Sequence, residues 1–428
     1  MERPARKARI TAFGRLLLGF GGAAAATAFL CLAPVKVQPF DARWPWLVSN
    51  RPLYHIQNIG DRVWAVPDPA IVAVDRVNGK RFLVAKGAGT YRIFCIGQST
   101  TEGFPFNPRG GYPEWLQAMV RTLLPGRRVE VINAGASGSD STRDLAIVKE
   151  VLKYSPDLLV LYEGNNEERY ARIRAGAGRF EPLLTAVNLE LLRHCRVYRY
   201  FVNGGLRRPA SDRAPFPLPA PVLARYERNV REMIRLSRRQ GVRVVLLGQI
   251  RQSILEGGAA APENEFLRTQ TGPGVVFVDE PAAFARKHKE GRAVVPDLLM
   301  DRMHPSLYGQ YLLAMTLCRT LSRLNWIAPG GRWRWKNALP EKGYEGALGL
   351  RDNAFKAHAL VIEACWIANN NRAMLKWIKP YLKEADQLDS GSVRRTLEAA
   401  GLGRMPATLL QAARALNTLA PPRRSHSG

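Results

Sequence analysis

Five short apolar runs constrain this chain more than any other feature. They lie at 91–97 (YRIFCIG), 129–135 (VEVINAG), 157–164 (DLLVLYEG), 242–248 (VRVVLLG) and 275–279 (VVFVD). Each is almost continuously apolar and ends in a turn residue. A strand with one wet face alternates apolar and polar residues, whereas a strand covered on both faces by helices does not. The segments between the runs have helical spacing. In 113–124 (PEWLQAMVRTLL), Trp115, Leu116, Met119, Val120, Leu123 and Leu124 fall on one face. Residues 143–153 and 222–239 read the same way, and a last helix, LYGQYLLAMTLCRTL, comes after His304. Strands alternating with helices over 91–325 predict an α/β fold, a parallel sheet of about five strands with helices on both faces.

In such a sheet ligands meet the carboxyl ends of the strands, so the residues just after each run are the ones to examine. The first run leads into Gln98, Ser99, Thr100, Thr101, Glu102 and Gly103. A glycine before a strand-end serine permits the sharp turn that lifts a hydroxyl above the sheet. The serine needs a base. Asp301-Arg302-Met303-His304-Pro305 supplies a carboxylate three residues before an imidazole, a spacing at which the acid can bond Nδ1 and leave Nε2 free to take a proton. Of the six histidines, His304 alone has an aspartate at this offset. The second run continues into Ala136-Ser137-Gly138 and the third ends Gly164-Asn165-Asn166-Glu167. A glycine N–H and an asparagine amide at strand ends can both donate to an oxygen on which charge develops. The Gly-x-Ser-x-Gly elbow of the α/β-hydrolases is missing, because Thr101 occupies its second glycine position. His304 has no second histidine at ligand spacing, so no metal site is expected.

Serine, glycine, asparagine and Asp-x-x-His, met in that order at successive strand ends, resemble the SGNH (GDSL-like) hydrolase superfamily. The family's first block maps to Ser99, its second to Gly138, its third to Gly164 and Asn166, and its fifth to Asp301 and His304. The strings RIFCIGQSTTEGFPF, NAGASG and GNNE look like a bacterial subgroup that often carries an N-terminal anchor and C-terminal helices. Gln98 stands where Asp, Gly or Glu is more usual, and Glu167 replaces a commoner Asp. The resemblance covers roughly residues 80–325. It implies a three-layer, flavodoxin-like fold and a serine esterase that uses no cofactor. Ser99 would be the nucleophile, His304 the base and Asp301 its orienting acid. The N–H groups of Ser99 and Gly138 and the amide of Asn166 would form the oxyanion hole. Water as acceptor gives an esterase or deacylase, and a sugar hydroxyl gives an O-acyltransferase on an envelope polysaccharide. A non-catalytic scaffold or binding protein is the third alternative.

The ends of the chain carry the remaining expectations. Residues 1–15 are basic, and 16–35 (LLLGFGGAAAATAFLCLAPV) hold no charge. A helix of about 20 residues spans roughly 30 Å, the thickness of a bilayer's hydrocarbon core. The basic residues before it predict a single-pass inner-membrane anchor with a cytoplasmic N-terminus and a periplasmic catalytic domain. That location suggests an acylated cell-surface glycan or lipid as the ester substrate. Residues 36–90 read as a linker and β-rich lead-in, 168–221 as a basic, Pro-rich insertion, and 326–428 as a helical extension able to bind a protein partner. Within the extension, Ala354, Ala359, Ala364 and Ala368 form a small-residue series over 352–418. The net charge of +27 favours anionic surroundings, but no nucleic-acid-binding signature accompanies it. The five cysteines are widely spaced with no CxxC pair, so neither a disulfide framework nor a zinc site is expected. Cys95 and Cys318 sit in apolar runs and read as core.

Overall fold

A computed structural model describes residues 51–68, 81–167, 181–194, 218–258, 261–370 and 376–389. Its first described strands form a small antiparallel sheet in the order β1-β2-β3: β1 (Tyr54–Ile59), β2 (Arg62–Pro67) and β3 (Phe82–Leu83). It lies within 36–90, the stretch read in sequence as a linker and β-rich lead-in. The stretch 69–80, which reads as alternating in sequence, lies outside the described residues. Three side chains join this small sheet to the α/β unit. Buried Arg92 bonds the carbonyls of Leu83, Val84 and Tyr154 and the Glu130 carboxylate. The Glu150 carboxylate accepts the backbone N–H groups of Leu53 and Tyr54 at 2.6 and 2.9 Å. Phe82 packs edge-on against Tyr54, Phe94 and Tyr154.

The main unit then alternates strands and helices: β4 (Tyr91–Gly97), α1 (Ser99–Glu102), α2 (Tyr112–Leu123), β5 (Val129–Gly135), α3 (Ser141–Val151) and β6 (Leu158–Tyr162). After β6 comes α4 (Glu181–His194), which belongs to a separate compact unit. After it come α5 (Ala220–Arg239), β7 (Arg243–Leu247), α6 (Gln252–Leu255), α7 (Pro262–Thr269), β8 (Val275–Val278), α8 (Glu280–Lys289) and α9 (Leu307–Leu324). The five main strands are all parallel, in the order β5-β4-β6-β7-β8. Every residue of β4 and β6 is buried, as continuous apolar runs require. Ile93 and Cys95 face a core built with α2 and α9, where Trp115, Leu116, Met119 and Val120 are fully buried. Burial of each such side chain contributes roughly 1.5–3 kcal/mol. Helices α3 and α5 pair with each other, and α3 also meets β4. Cys95 and Cys318 are buried in the first core with free thiols.

In flavodoxin-like order the strands run 2-1-3-4-5, and the chain changes direction between its first and third strands. That switch point lies here between β4 and β6. The register sets the strand ends level, with Gly97 opposite Gly135 on one side and Tyr162 on the other. The segments that leave β4, β5 and β6 therefore depart from the sheet at one edge.

Three further helices complete the described chain, α10 (Glu341–Ala347), α11 (Asn353–Asn370) and α12 (Ile378–Leu388). Helices α11 and α12 form a second core, from Leu360, Val361, Ala364 and Leu382 among others, that also takes in Phe106 and Met300. Of the small-residue series, Ala359 and Ala364 are buried while Ala354 is exposed. Among the described residues no helix is long and apolar enough to cross a membrane. The expected anchor, 16–35, lies outside them, as does the tail beyond 389.

Candidate active site

Ser99 opens α1, directly after β4. Gly97, at φ +156°, is what lets the chain turn there. A Cβ at Gly97 would stand 2.4 Å from Thr101 Oγ1 and 2.5 Å from the Tyr162 carbonyl oxygen, closer than any side chain can sit. Helix α9 holds this turn from behind. Gln310, fully buried, donates to the Thr100 carbonyl at 3.3 Å and accepts the Tyr112 N–H at 2.9 Å.

Asp301 and His304 lie on the loop that precedes α9. Leu299 and Pro305 form an antiparallel bridge, and Met300 N–H donates to the His304 carbonyl at 2.8 Å, so the loop is a tight hairpin. Ser306 ends it as the N-cap of α9, its Oγ accepting the Gly309 N–H at 3.0 Å. The hairpin brings the acid and the base together locally. Asp301 Oδ1 accepts the N–H groups of Met303 and His304 at 2.8 and 2.7 Å, and Oδ2 lies 2.9 Å from His304 Nδ1.

His304 Nε2 in turn lies 2.9 Å from Ser99 Oγ, across 205 positions of sequence. An ionised carboxylate only accepts, so Nδ1 carries the proton toward Asp301 and Nε2 is left to accept from the hydroxyl. Burial pushes the Asp301 carboxyl up, but the His304 charge and the hydrogen bonds from His304 and Met303 outweigh it and hold Asp301 below the usual carboxylate range. Asp301 and His304 are buried, whereas Ser99 is partly open to solvent. The arrangement can remove a proton from a reachable hydroxyl and hold the imidazolium that results.

Gly138 and Asn166 stand at the same sheet edge, past the ends of β5 and β6. Gly138 adopts φ +86°, a left-handed turn suited to glycine. Asn166 is half-buried. The structure thus joins Ser99, His304 and Asp301 by hydrogen bonds and sets Gly138 and Asn166 on the loops that flank Ser99.

Several residues that hold these loops have no role that spacing alone assigns. Gln98, a turn position in sequence terms, is buried and accepts the Asn165 N–H through Oε1 at 3.1 Å. Glu102 accepts the Ser137 N–H at 2.8 Å, one residue before Gly138. Glu167 accepts both the N–H and the Oγ–H of Ser141, at 2.8 and 2.7 Å. Burial, with the neighbouring Asp140 charge, pushes Glu167 up to about 8. Trp366, far along on α11, donates its indole N–H to Asp301 Oδ2 at 3.0 Å. The one sequence signal for Gln98 and Glu102 is their position beside Ser99. Trp366 has none.

Asp301, His304 and the buried Glu363 also form the one group among the described residues whose ligand atoms, within 4.8 Å of one another, could hold a metal ion. Two of its three members are already engaged in the hydrogen bond that orients His304.

Among curated proteins, none matches the chain. Several solved structures share similarity with it. A catalytic mutant of Axe2, an acetylxylan esterase from Geobacillus stearothermophilus, is 21% identical over 55% of this chain and 94% of its own, with a TM-score of 0.36. LAE5, described as an alpha/beta hydrolase enzyme from the metagenome of Lake Arreo, Spain, is 20% identical over 57% of this chain and 98% of its own, with a TM-score of 0.36. TesA is 19% identical over 54% of this chain and 99% of its own, with a TM-score of 0.34. The family model of the GDSL-like lipases and acylhydrolases matches residues 95–312, half of the chain and the whole path from the strand before Ser99 to the helix after His304. The chain is a member of the GDSL-like lipase/acylhydrolase family, a serine hydrolase of ester bonds.

Proposed function

We propose that the protein hydrolyses carboxylic esters through an acyl-enzyme on Ser99. One observation carries the reading: the continuous relay from Ser99 Oγ to His304 Nε2 and from His304 Nδ1 to Asp301, both links at 2.9 Å. Ser99 attacks the ester carbonyl as His304 takes its proton. Asp301 holds the ring and offsets the charge it gains. The backbone N–H groups of Ser99 and Gly138, with the Asn166 amide, receive the oxyanion, and loss of one such donor costs roughly 100- to 1000-fold in rate. His304 then protonates the leaving alcohol. In the second half it activates water, which frees the acid and restores Ser99.

The site works outside the cytoplasm in this reading, with 16–35 as the membrane anchor, so that acylated glycans or lipids of the cell surface are its substrates. A periplasm-active reporter fused after residue 60 tests the topology, and an inactive fusion refutes it. The chemistry is tested on the full-length protein with a fluorophosphonate probe and p-nitrophenyl acetate. Wild type should label and release acetate, and Ser99→Ala should do neither. Labelling that persists in Ser99→Ala ends the proposal. Acyl transfer to an added glycan exceeding hydrolysis would make the enzyme an acyltransferase instead.

A further inference from the structure

The acid of the relay is completed from outside the family-matched region. Asp301 is fully enclosed, and four donors converge on its two oxygens. Two backbone N–H groups, of Met303 and His304, meet Oδ1. His304 Nδ1 and Trp366 Nε1 meet Oδ2, at 2.9 and 3.0 Å. The backbone pair pins one oxygen but leaves the carboxylate free to swing about it. The indole N–H supplies the second fixed direction. Its ring also stands edge-on to His304, with centroids 5.5 Å apart, and to Phe104, which itself lies 4.8 Å from the imidazole.

Trp366 is held in turn. On α11 it rides on the second core, which takes in Met300, the residue before Asp301. From α12 the Tyr381 hydroxyl donates to the Met300 carbonyl. The helix pair thus grips the acid's loop through both main chain and side chain. At the other end of α11, Arg109 lies over the Phe355 ring at 4.5 Å.

Glu363 sharpens the arrangement. It sits almost one turn before Trp366, fully buried, and neither carboxyl oxygen has a hydrogen-bond partner among the described residues. Two neighbouring acids in a dry site do not both ionise readily. The donors converge on Asp301, which is therefore the anion. Burial and the Asp301 charge push Glu363 well up, so it is the neutral partner.

We infer that Trp366 is a positioning residue of the relay: its indole N–H fixes Asp301 Oδ2 beneath His304, which makes the α11–α12 pair an integral part of the active site. This rests on the reading of Ser99, His304 and Asp301 as the catalytic relay. The other titratable groups packed about the carboxylate are His304, Glu363 on α11 and Tyr381 on α12.

The test is p-nitrophenyl acetate hydrolysis by the full-length chain, over pH, for wild type, Ser99→Ala, Trp366→Phe, Asp301→Asn and the Trp366→Phe/Asp301→Asn double variant. Phenylalanine keeps an aromatic ring toward His304 and Phe104 while removing the donor and some ring volume, the latter covered by the packing control below. A hydrogen bond to a charged group is strong enough that kcat should fall roughly 10-fold, with KM within about twofold. A carboxylate with one donor fewer pulls harder on the imidazolium, so the acid limb of kcat/KM should move to higher pH. In the Asp301→Asn background Trp366→Phe should lower kcat no further. Leu360→Ala, in the same core but without contact to the carboxylate, controls for packing: it should lower the melting temperature and leave the limb in place. A wild-type kcat and limb in Trp366→Phe, additive losses in the double variant, or a shifted limb in Leu360→Ala would each overturn the inference. If Ser99→Ala is as active as wild type, the relay itself is wrong. If Ser99→Ala is inactive while Trp366→Phe is normal, only the role of Trp366 falls.

Discussion

Asp301→Asn is the sharpest perturbation of this site, because the acid serves four donors and an amide can serve only two of them. Suppose the amide oxygen keeps the Oδ1 position. The N–H groups of Met303 and His304 stay satisfied. The new NH2 then faces His304 Nδ1 and Trp366 Nε1. The imidazole can relieve its half of the conflict by moving its proton to Nε2, so that Nδ1 accepts. That tautomer cannot take the Ser99 proton. The indole N–H stays unpaired, and a buried donor without a partner costs about 1–3 kcal/mol. The reverse amide orientation leaves two backbone N–H groups facing NH2, which by the same measure costs about 2–6 kcal/mol. The first orientation therefore wins, and with it the wrong tautomer. The expected loss in kcat is about 10⁴-fold, with a melting temperature lower by a few degrees. There is also a pH signature. Asp301 is held below the usual carboxylate range in the fold. Its ionised form therefore contributes stability above the ordinary carboxylate pKa, and that contribution is lost as pH falls through its folded value. The stability gap between wild type and Asp301→Asn should narrow in strong acid. Steady-state hydrolysis with thermal melts at neutral and acid pH measures both effects. A kcat within about tenfold of wild type would refute the reasoning, since it would mean that His304 keeps its working tautomer without the carboxylate.

Other substitutions probe the supports of the site. Gly97→Ala places a methyl group 2.4 Å from Thr101 Oγ1 and 2.5 Å from the Tyr162 carbonyl; it should destabilise by about 3 kcal/mol or more or displace Ser99, seen as loss of soluble protein or of probe labelling. Glu167, pushed up to about 8 by burial and Asp140, stays protonated in the fold between its ordinary pKa and about pH 8 while the unfolded chain ionises. Its contribution to stability therefore falls as pH rises through that window, and Glu167→Gln should flatten the decline in urea melts between pH 5 and 8. Glu150→Ala removes the acceptor of the Leu53 and Tyr54 N–H groups. The expected loss is about 1–3 kcal/mol, appearing as faster hydrogen exchange in β1 and β2. Esterase activity should persist, because the lead-in sheet is tied to Arg92 at the start of β4 and Ser99 stands past its other end.

Legibility in the sequence tracks how local each feature is. The strands announce themselves because burial on both faces leaves few polar positions, and their bounds shift by only a residue or two. The run 157–164 shortens to Leu158–Tyr162 because Asp157 turns its carboxylate to the Arg92 N–H and Lys86, and because Gly164 breaks away at φ +116°. The acid–base pair is legible because the hairpin that joins Asp301 to His304 spans three residues. Short helices escape notice. Helix α7 (PENEFLRT) places just two large apolar residues, Phe266 and Leu267, in the core, too few to show a period. The supports of the site are hidden for a different reason. Gln98 and Asn165 are 67 positions apart, Glu102 and Ser137 are 35 apart, and Asp301 and Trp366 are 65 apart. No spacing rule marks such pairs, because they exist only once the fold has brought distant segments to one sheet edge.

The same geometry fixes the loop that carries Asn166 before the chain enters 168–221. The segment that leaves β6 passes Asn166 and runs into 168–221. It is clamped before it departs. Gln98 takes the Asn165 N–H, and Glu167 grips Ser141 at the start of α3 while Arg225 on α5 donates to the Glu167 carbonyl at 3.0 Å. Asn229, also on α5, donates to Ser141 Oγ at 3.0 Å and closes the knot. These bonds are largely buried, so each exchanges a hydrated polar group for one that must find its partner, and the loop past β6 has one good conformation up to Glu167. Asn166 lies between the two anchored positions, Asn165 and Glu167, so this clamp sets its place. A fold that anchors Asn165 and Glu167 by its own strand-end contacts sets the edge beside Ser99 from within the α/β unit, independently of the Ser99–His304 hydrogen bond.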